Sequence, residues 1–382
     1  MENVTVLGRT ISLIVSAALV LMISSICSSI DARGQEMAAS HIGSKPQHVF
    51  IIVLENAGFE TTFGRKSPAP YLSRELAAKG LLLTQYYAIG HFSLDNYIAM
   101  ISGQGPNSYT QNDCFTYYDF RPFRKELDAN GQALGAGCVY PDSVLTIGNQ
   151  LEAKHLVWKG YMEDMDTNCE HPVPGQVDRY IKASKESQYA TRHNPFVYFH
   201  SIIDHTTCSQ HVVPLAELGD DLASAAKTPN LAFITPNLCH DGHDGASELC
   251  EGGHLISADR FLRSLVGRIL SSPAYRQDGM LLVTFDEADV EIKGGRVVPG
   301  GTDSRSCCNE PSGPNTVSPG RTGPGGGRTG TLIVSPFVRQ GRDDEPYNHY
   351  SLLRSLEDIF GLNHLGYAAQ GGLRPFGKDV YR

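Results

Sequence analysis

The sequence contains no run of five or more lysines and arginines, and its 32 basic residues are outnumbered by 41 acidic ones, for a formal net charge of −9. A polyanion would meet net repulsion unless a local basic patch overrode it, so nucleic acid is not expected as a partner. No internal repeat is present, which removes solenoid and propeller architectures. Beyond residues 11–30 no apolar run approaches the length of a membrane span. Charged residues make up only 19% of the chain and hydrophobic residues 41%, enough for a substantial core in 382 residues. The 39 glycines and 21 prolines predict extensive loops.

What the N-terminus does have is Arg9 followed by an uncharged stretch, residues 11–30 (ISLIVSAALVLMISSICSSI), and then a polar, small-residue segment. This pattern predicts a secretory signal peptide cut after Ala32 or near Ala38, with an uncleaved anchor as the alternative. Residues 1–38 are therefore expected to be an export signal and a short lead, and residues 39–382 a single domain. Removing Cys27 with the signal leaves Cys114, Cys138, Cys169, Cys208, Cys239, Cys250, Cys307 and Cys308. An even set in an exported chain implies four disulfides, of which Cys114–Cys138 and Cys239–Cys250 are the local choices.

Past the lead, apolar β-branched runs alternate with helical patterns. Residues 48–54 (HVFIIVL) are apolar on both faces, as a buried parallel strand requires. Similar runs occur at 81–83, 156–158, 196–199, 231–234, 280–285 and 331–334, and helical periodicity at 70–79, 144–154, 258–270 and 350–360. The expected class is α/β, with helices on both faces of a mostly parallel sheet. Residues 110–142 and 293–329 read as loops. The GRTGPGGGRTG segment (320–330) lacks the Gly-x4-Gly-Lys-Ser/Thr spacing of a phosphate loop and precedes a strand, so it reads as an ordered turn.

Ionisable residues gather just after strand ends, the edge where open α/β sheets bind ligands. Glu55-Asn56 follows the first strand, and Asp286-Glu287 follows MLLVTF (280–285). Carboxylate and amide oxygens delivered twice to one edge suit Ca²⁺, Mg²⁺ or Mn²⁺. In HFSLDNYIAMISG (91–103), Ser93 opens an apolar helical segment, where it is either an N-cap or a hydroxyl beside an anion site. No Gly-x-Ser-x-Gly elbow surrounds it, so a metal is its natural activator. TPNLCHDGHD (235–244) brings His240, Asp241, His243 and Asp244 after a strand, too few well-spaced ligands for a zinc site. Asp204, His205 and His211 form a looser set, and His349 stands where it can cap a late helix.

Six segments in this order, VLENAGFETTFG, HFSLDNYIAMISG, TPNLCHDGHD, LLVTFDEAD, CCNEPSGP to GPGGGRTG, and NHYSLLRSLEDIFGLNHLG, resemble the bacterial phosphoesterase family of phospholipases C and secreted acid phosphatases, within the alkaline phosphatase-like superfamily. The likeness is greatest to the secreted acid phosphatases. The resemblance implies an alkaline phosphatase-like three-layer sandwich with a mostly parallel central sheet. It also implies metal-assisted phosphoryl transfer in a secreted, periplasmic or cell-surface phosphatase acting on a small-molecule or lipid-headgroup phosphate, with peripheral contact to membrane lipid in the latter case. Glu55, Asn56, Ser93, Asp286 and Glu287 match the metal positions and Ser93 the nucleophile. His205, His243 and His349 are the candidate proton donors; His91, Asn96, His240, Asp241 and Asp244 are the candidate substrate-binding residues.

Two positions depart from the family pattern. Asp95 stands where relatives often carry Pro, and Glu287 fills a position that is His in two-metal alkaline phosphatases. The second departure implies one hard divalent cation and disfavours zinc. A phospholipase C-type diesterase and a non-catalytic secreted binding protein of the same fold are the competing readings. A sulfatase is disfavoured because its only motif match, SPAYR (272–276), leads into a strand and so lies at the opposite sheet edge.

Overall fold

Strand β1 (His48–Leu54) forms the middle of the molecule because residues 49–54 are apolar on both faces; all seven residues are buried, His48 with its ring bonded to Asp278. In the computed structural model, which describes residues 45–382 apart from 183, 185–186, 244–249, 251, 290–291, 294–295, 298–301 and 318–322, alternate side chains of β1 enter two different cores. Val49, Ile51 and Val53 join one; Phe50, Ile52 and Leu54 join the other. The stretch expected to be an export signal, with Cys27, lies outside the described residues, as does Asp244. Residues from Pro46 to Arg382 form one compact unit.

Seven further strands complete the main sheet: β2 (Leu81–Tyr87), β3 (Trp158–Met162), β4 (Val212–Pro214), β5 (Leu231–Thr235), β6 (Gly279–Phe285), β7 (Thr331–Val334) and β8 (Gly341–Asn348). Their order across the sheet is β8-β2-β7-β6-β1-β5-β3-β4. Only β7 runs antiparallel to its neighbours, β2 and β6. Helices α1 (Ser93–Ser102) and α3 (His349–Phe360) cover one face. The other is covered by α2 (His254–Ser271), whose Leu255, Ala258, Leu262, Leu265, Val266 and Ile269 recur at helical spacing. The fold is thus a three-layer α/β sandwich. Among the described residues no helix is long and apolar enough to cross a membrane.

Three differences from the sequence expectation have physical causes. Residues 196–199 are not a strand: Pro195–Tyr198 is a buried 3₁₀ turn, and a short apolar run alone does not separate the two. The eight-residue strand β8 reads GRDDEPYN and carries no apolar signal, because it is an edge strand that tolerates Pro346 and exposed charges. β4 is a three-residue edge too short to show a period. Among the described residues four disulfides are formed: Cys114–Cys138, Cys169–Cys208, Cys239–Cys250 and the adjacent pair Cys307–Cys308.

The parallel register decides where chemistry collects. Leu54 pairs with Phe285, and Ile52 with Ile234, so β1, β6 and β5 end at the same edge. Glu55, Asp286 and the loop after Thr235 leave from that edge together. β2, antiparallel to β7, ends there too and leads through residues 88–92 into Ser93.

Candidate active site

Glu55 is fully buried and is the hub of the site. Ser93 Oγ donates to its Oε2 at 2.7 Å, and the Tyr97 hydroxyl donates to its Oε1 at 2.7 Å. The serine is therefore not a cap, since its side chain makes no capping bond to α1. That role is filled from a distance: Asp113 Oδ1 accepts from the Leu94 N–H at 3.1 Å, delivered by the loop that Cys114–Cys138 ties down. Phe92, immediately before the serine, has φ +82°, a conformation costly for a residue with a side chain. Glu287 Oε1 holds it there by accepting the Phe92 N–H at 3.0 Å.

Three carboxylates, Glu55, Asp286 and Glu287, are between 0 and 2% exposed. Burial pushes the Glu55 carboxyl up to about 7 against the hydrogen bonds from Ser93 and Tyr97 that favour its ionised form. Burial, then the Glu55 and Glu287 charges, pushes Asp286 well above the usual carboxylate range. Such crowding is relieved by protonation of the carboxyls or by a bound cation. The donor set fits one: Asn56 Oδ1 and Asp286 Oδ2 are buried without a hydrogen-bond partner, while Asp286 Oδ1 accepts from the Asn56 and Glu287 N–H groups at 2.9 and 2.6 Å. Among the described residues no three His, Cys, Asp or Glu side chains form a metal cluster by themselves. A cation here would also need the amide oxygen of Asn56 and the hydroxyl of Ser93, which are the hard oxygen donors of Mg²⁺, Mn²⁺ and Ca²⁺ sites.

A cavity of about 120 Å³ opens onto Ser93 and is lined by Asn56, Phe92, Ser93, Asp113, Arg192, His243 and Glu287. His243 lines this cavity; its N–H donates to Asp241 Oδ1 at 2.8 Å, and the backbone carbonyl of that fully buried aspartate accepts from Glu55 N–H at 2.8 Å. Asp241 thus braces the loop. The other candidates serve elsewhere. Asn96 uses its whole amide on the preceding loop, accepting from the Ile89 and Gly90 N–H groups and donating to the Gly90 and Phe92 carbonyls. His91 is buried between the Glu287 carboxylate, hydrogen-bonded to Nδ1, and the Asp303 carbonyl, 2.9 Å from Nε2. Burial opposes its protonation, but the Glu287 charge outweighs it and the pKa rises.

His349 is also fully enclosed, donating from Nε2 to the Asp286 carbonyl at 2.6 Å and accepting the Tyr86 hydroxyl at Nδ1 at 3.0 Å. Burial lowers its pKa to about 4, so it is a neutral brace behind Asp286 with no ring nitrogen to offer a ligand. His240 stacks on Phe261 and bonds Glu163 at 2.9 Å, outside the Ser93 cavity. His205 is exposed, 3.4 Å from Asp142, and makes no bond to the cluster, because residues 204–205 follow a short surface helix, His200–Ile203, instead of a strand.

Sequence reasoning missed Tyr97, Asp113, Arg192 and His193. His193 is buried, stacked on Tyr97 with centroids 5.5 Å apart, and places Nε2 3.3 Å from Glu55 Oε1 without the alignment of a hydrogen bond. Burial holds its pKa well below the usual value, so the ring is neutral. The one local signal is the polar pair Arg192-His193 ahead of a buried apolar turn whose composition is that of a strand.

The family model described as the phosphoesterase family matches residues 66–363. This chain belongs to that family. The phosphoesterase match spans Ser93, Arg192, His243, Asp286 and Glu287. A phosphate-repressible acid phosphatase from Penicillium chrysogenum is 30% identical over 315 residues, 82% of this chain and 59% of that protein. A phosphatidylinositol-3-phosphatase from Mycobacterium tuberculosis is 25% identical over 353 residues, 89% of each chain. The chain spans between 54 and 62% of the fungal acid phosphatases it resembles. A solved structure from the alkaline phosphatase superfamily, from Vibrio parahaemolyticus, shares 13% identity over 84% of this chain and 67% of its own, with a TM-score of 0.49.

Proposed function

We propose that this chain is an exported phosphatase that hydrolyses phosphate monoesters through a phosphoserine intermediate at Ser93 and uses one hard divalent cation. The observation that carries the reading is the Ser93 hydroxyl, released from capping, hydrogen-bonded to buried Glu55 and facing a small cavity that also presents Arg192 and His243. Four disulfides support an oxidising compartment and so the export reading. Family membership supports the reaction class, and the acid phosphatase relatives support the monoester.

Glu55, Asn56, Ser93, Asp286 and Glu287 are the residues that would hold the cation. When bound, it neutralises their charge and offsets the negative charge that builds on the phosphoryl oxygens. The protein's own groups do the rest. Ser93 passes its proton to Glu55 Oε2 as Oγ bonds to phosphorus in line with the departing ester oxygen. Arg192 pairs with the phosphoryl oxygens, as a dianionic monoester requires. His243 gives a proton to the leaving alkoxide; a water then enters from that side, returns a proton to His243, and displaces Ser93, which recovers its proton from Glu55. Lipid-headgroup monoesters belong to the proposed substrate range through the phosphatidylinositol-3-phosphatase relative, and these would bring the enzyme to a membrane surface.

The test is hydrolysis of p-nitrophenyl phosphate against p-nitrophenylphosphorylcholine, each with and without a chelator. The monoester should be turned over, chelation should abolish it, and Mg²⁺, Mn²⁺ or Ca²⁺ should restore it better than Zn²⁺. Ser93→Ala should eliminate turnover while keeping the unfolding transition. Full activity in that variant would sink the mechanism, and inactivity of the wild type on both esters would favour the non-catalytic binding protein.

A further inference from the structure

The cavity above Ser93 has room for about four water-sized groups, the size of a phosphoryl group and little else. A second cavity of about 280 Å³ adjoins it. Asn56 and His243 line both, so the two share a wall at the residue proposed to protonate the leaving oxygen. Its floor is buried and largely apolar, made by Ala57, Gly242 and Leu255. Its rim is exposed and polar, made by Thr61, His254 and Asp289. An apolar floor under a polar rim complements a six-membered ring whose flat C–H face is apolar and whose edge carries hydroxyls.

Asp289 is built into this wall. Its Oδ2 accepts from the Gly58 N–H at 3.0 Å and from the Thr61 hydroxyl at 2.9 Å, while Oδ1 has no partner among the described residues. A Cβ on residue 58 would sit 2.8 Å from Asp289 Oδ2, so only glycine there allows the carboxylate this close to the backbone. One oxygen is therefore anchored and the other is available to a ligand. The His254 imidazole beside the same cavity makes no bond to the described residues and offers a second polar contact.

We propose that this cavity is the leaving-group subsite and that Asp289 is its specificity-determining residue, selecting phosphate monoesters of hydroxyl-bearing ring alcohols. The alcohol's hydroxyls donate to Asp289 Oδ1 while its ring covers Leu255 and Ala57. At about nine water volumes the subsite takes one substituted ring, and acyl chains of a lipid would remain outside it. The proposal rests on the phosphatase reading above and adds the class of alcohol.

Its test compares glucose 6-phosphate with phenyl phosphate, rings of similar size with and without hydroxyls, on the full-length protein, on Asp289→Ala and on Asp289→Asn. Loss of a hydrogen bond to a charged acceptor lowers the glucose 6-phosphate to phenyl phosphate ratio of kcat/KM by about tenfold or more in Asp289→Ala. Asp289→Asn retains an anchoring oxygen for the Gly58 N–H, keeps the fold, and should lower the same ratio by a smaller factor. Phosphatidylinositol 3-phosphate in phosphatidylcholine vesicles distinguishes a lipid headgroup from a free sugar phosphate, and an Asp289-dependent loss on either source supports the subsite. An unchanged ratio in both variants, with the wild type active on phenyl phosphate, overturns the subsite alone. A wild type inactive on every ester overturns the phosphatase reading itself.

Discussion

Tyr97→Phe removes one oxygen from the centre of the site and little else. The ring is held by stacking on His193 and by an edge contact to Phe233 at 6.3 Å, both of which a phenylalanine retains. What is lost is the 2.7 Å bond to Glu55 Oε1, in a fully buried setting. A hydrogen bond to an ionised acceptor is worth about 1.5–3 kcal/mol, and one between neutral groups about 0.5–1.5 kcal/mol. The cost therefore depends on whether Glu55 is charged.

The sign follows from linkage. In the cation-free protein the folded Glu55 carboxyl titrates at about 7 and the ordinary glutamate value is 4.5, so between them the native state holds a proton that the unfolded chain has released. This stability is fully present below pH 4.5 and is lost as pH rises through 7. Removing a donor that favours the carboxylate raises the native pKa further and extends the loss to higher pH. Guanidinium unfolding with chelator present should show Tyr97→Phe destabilised by about 1 kcal/mol at pH 5 and by about 2 kcal/mol or more at pH 8. An equal cost at both values, or less than about 0.5 kcal/mol at pH 8, would refute the account of Glu55 as a buried titrating hub.

The histidines give a ranked comparison: His243→Ala should slow alkyl phosphates by about 10²–10⁴-fold and p-nitrophenyl phosphate much less, since nitrophenolate leaves without a proton. His205→Ala should stay within about twofold of wild type; steady-state kinetics showing the reverse order would displace His243 as the acid. Gly103, which ends α1 at φ +66°, has the Leu365 carbonyl 2.3 Å from where a Cβ would stand. Gly103→Ala should therefore cost about 2 kcal/mol or more in chemical unfolding, and a variant as stable as wild type would contradict the packing of α1 against the C-terminal segment.

The parts of the site visible in the sequence are those that local order creates. An apolar strand followed at once by polar residues carries them to a sheet edge whatever the rest of the chain does. Hence Glu55-Asn56 and Asp286-Glu287 pair on chain order alone, and Ser93 stands out at the start of an apolar helix. His91, Asn96 and His349 are visible too, but they act as supports: each has its polar atoms occupied by neighbouring chain, which no one-dimensional pattern reports. His205 falls outside the site because its segment follows a 3₁₀ turn and a short helix instead of the strand that its apolar run predicts.

The sequence by itself determined the α/β class and the two carboxylate pairs at strand ends, because burial of apolar strands depends on local composition. Only the tertiary structure decided which groups meet. Asp113 reaches α1 from a disulfide-tied loop, His193 reaches Glu55 from 138 positions further along the chain, and Asp289 settles over Gly58 from another strand's end. Those encounters are set by parallel register and loop closure, which bring distant segments to one edge and leave no periodic trace in the chain.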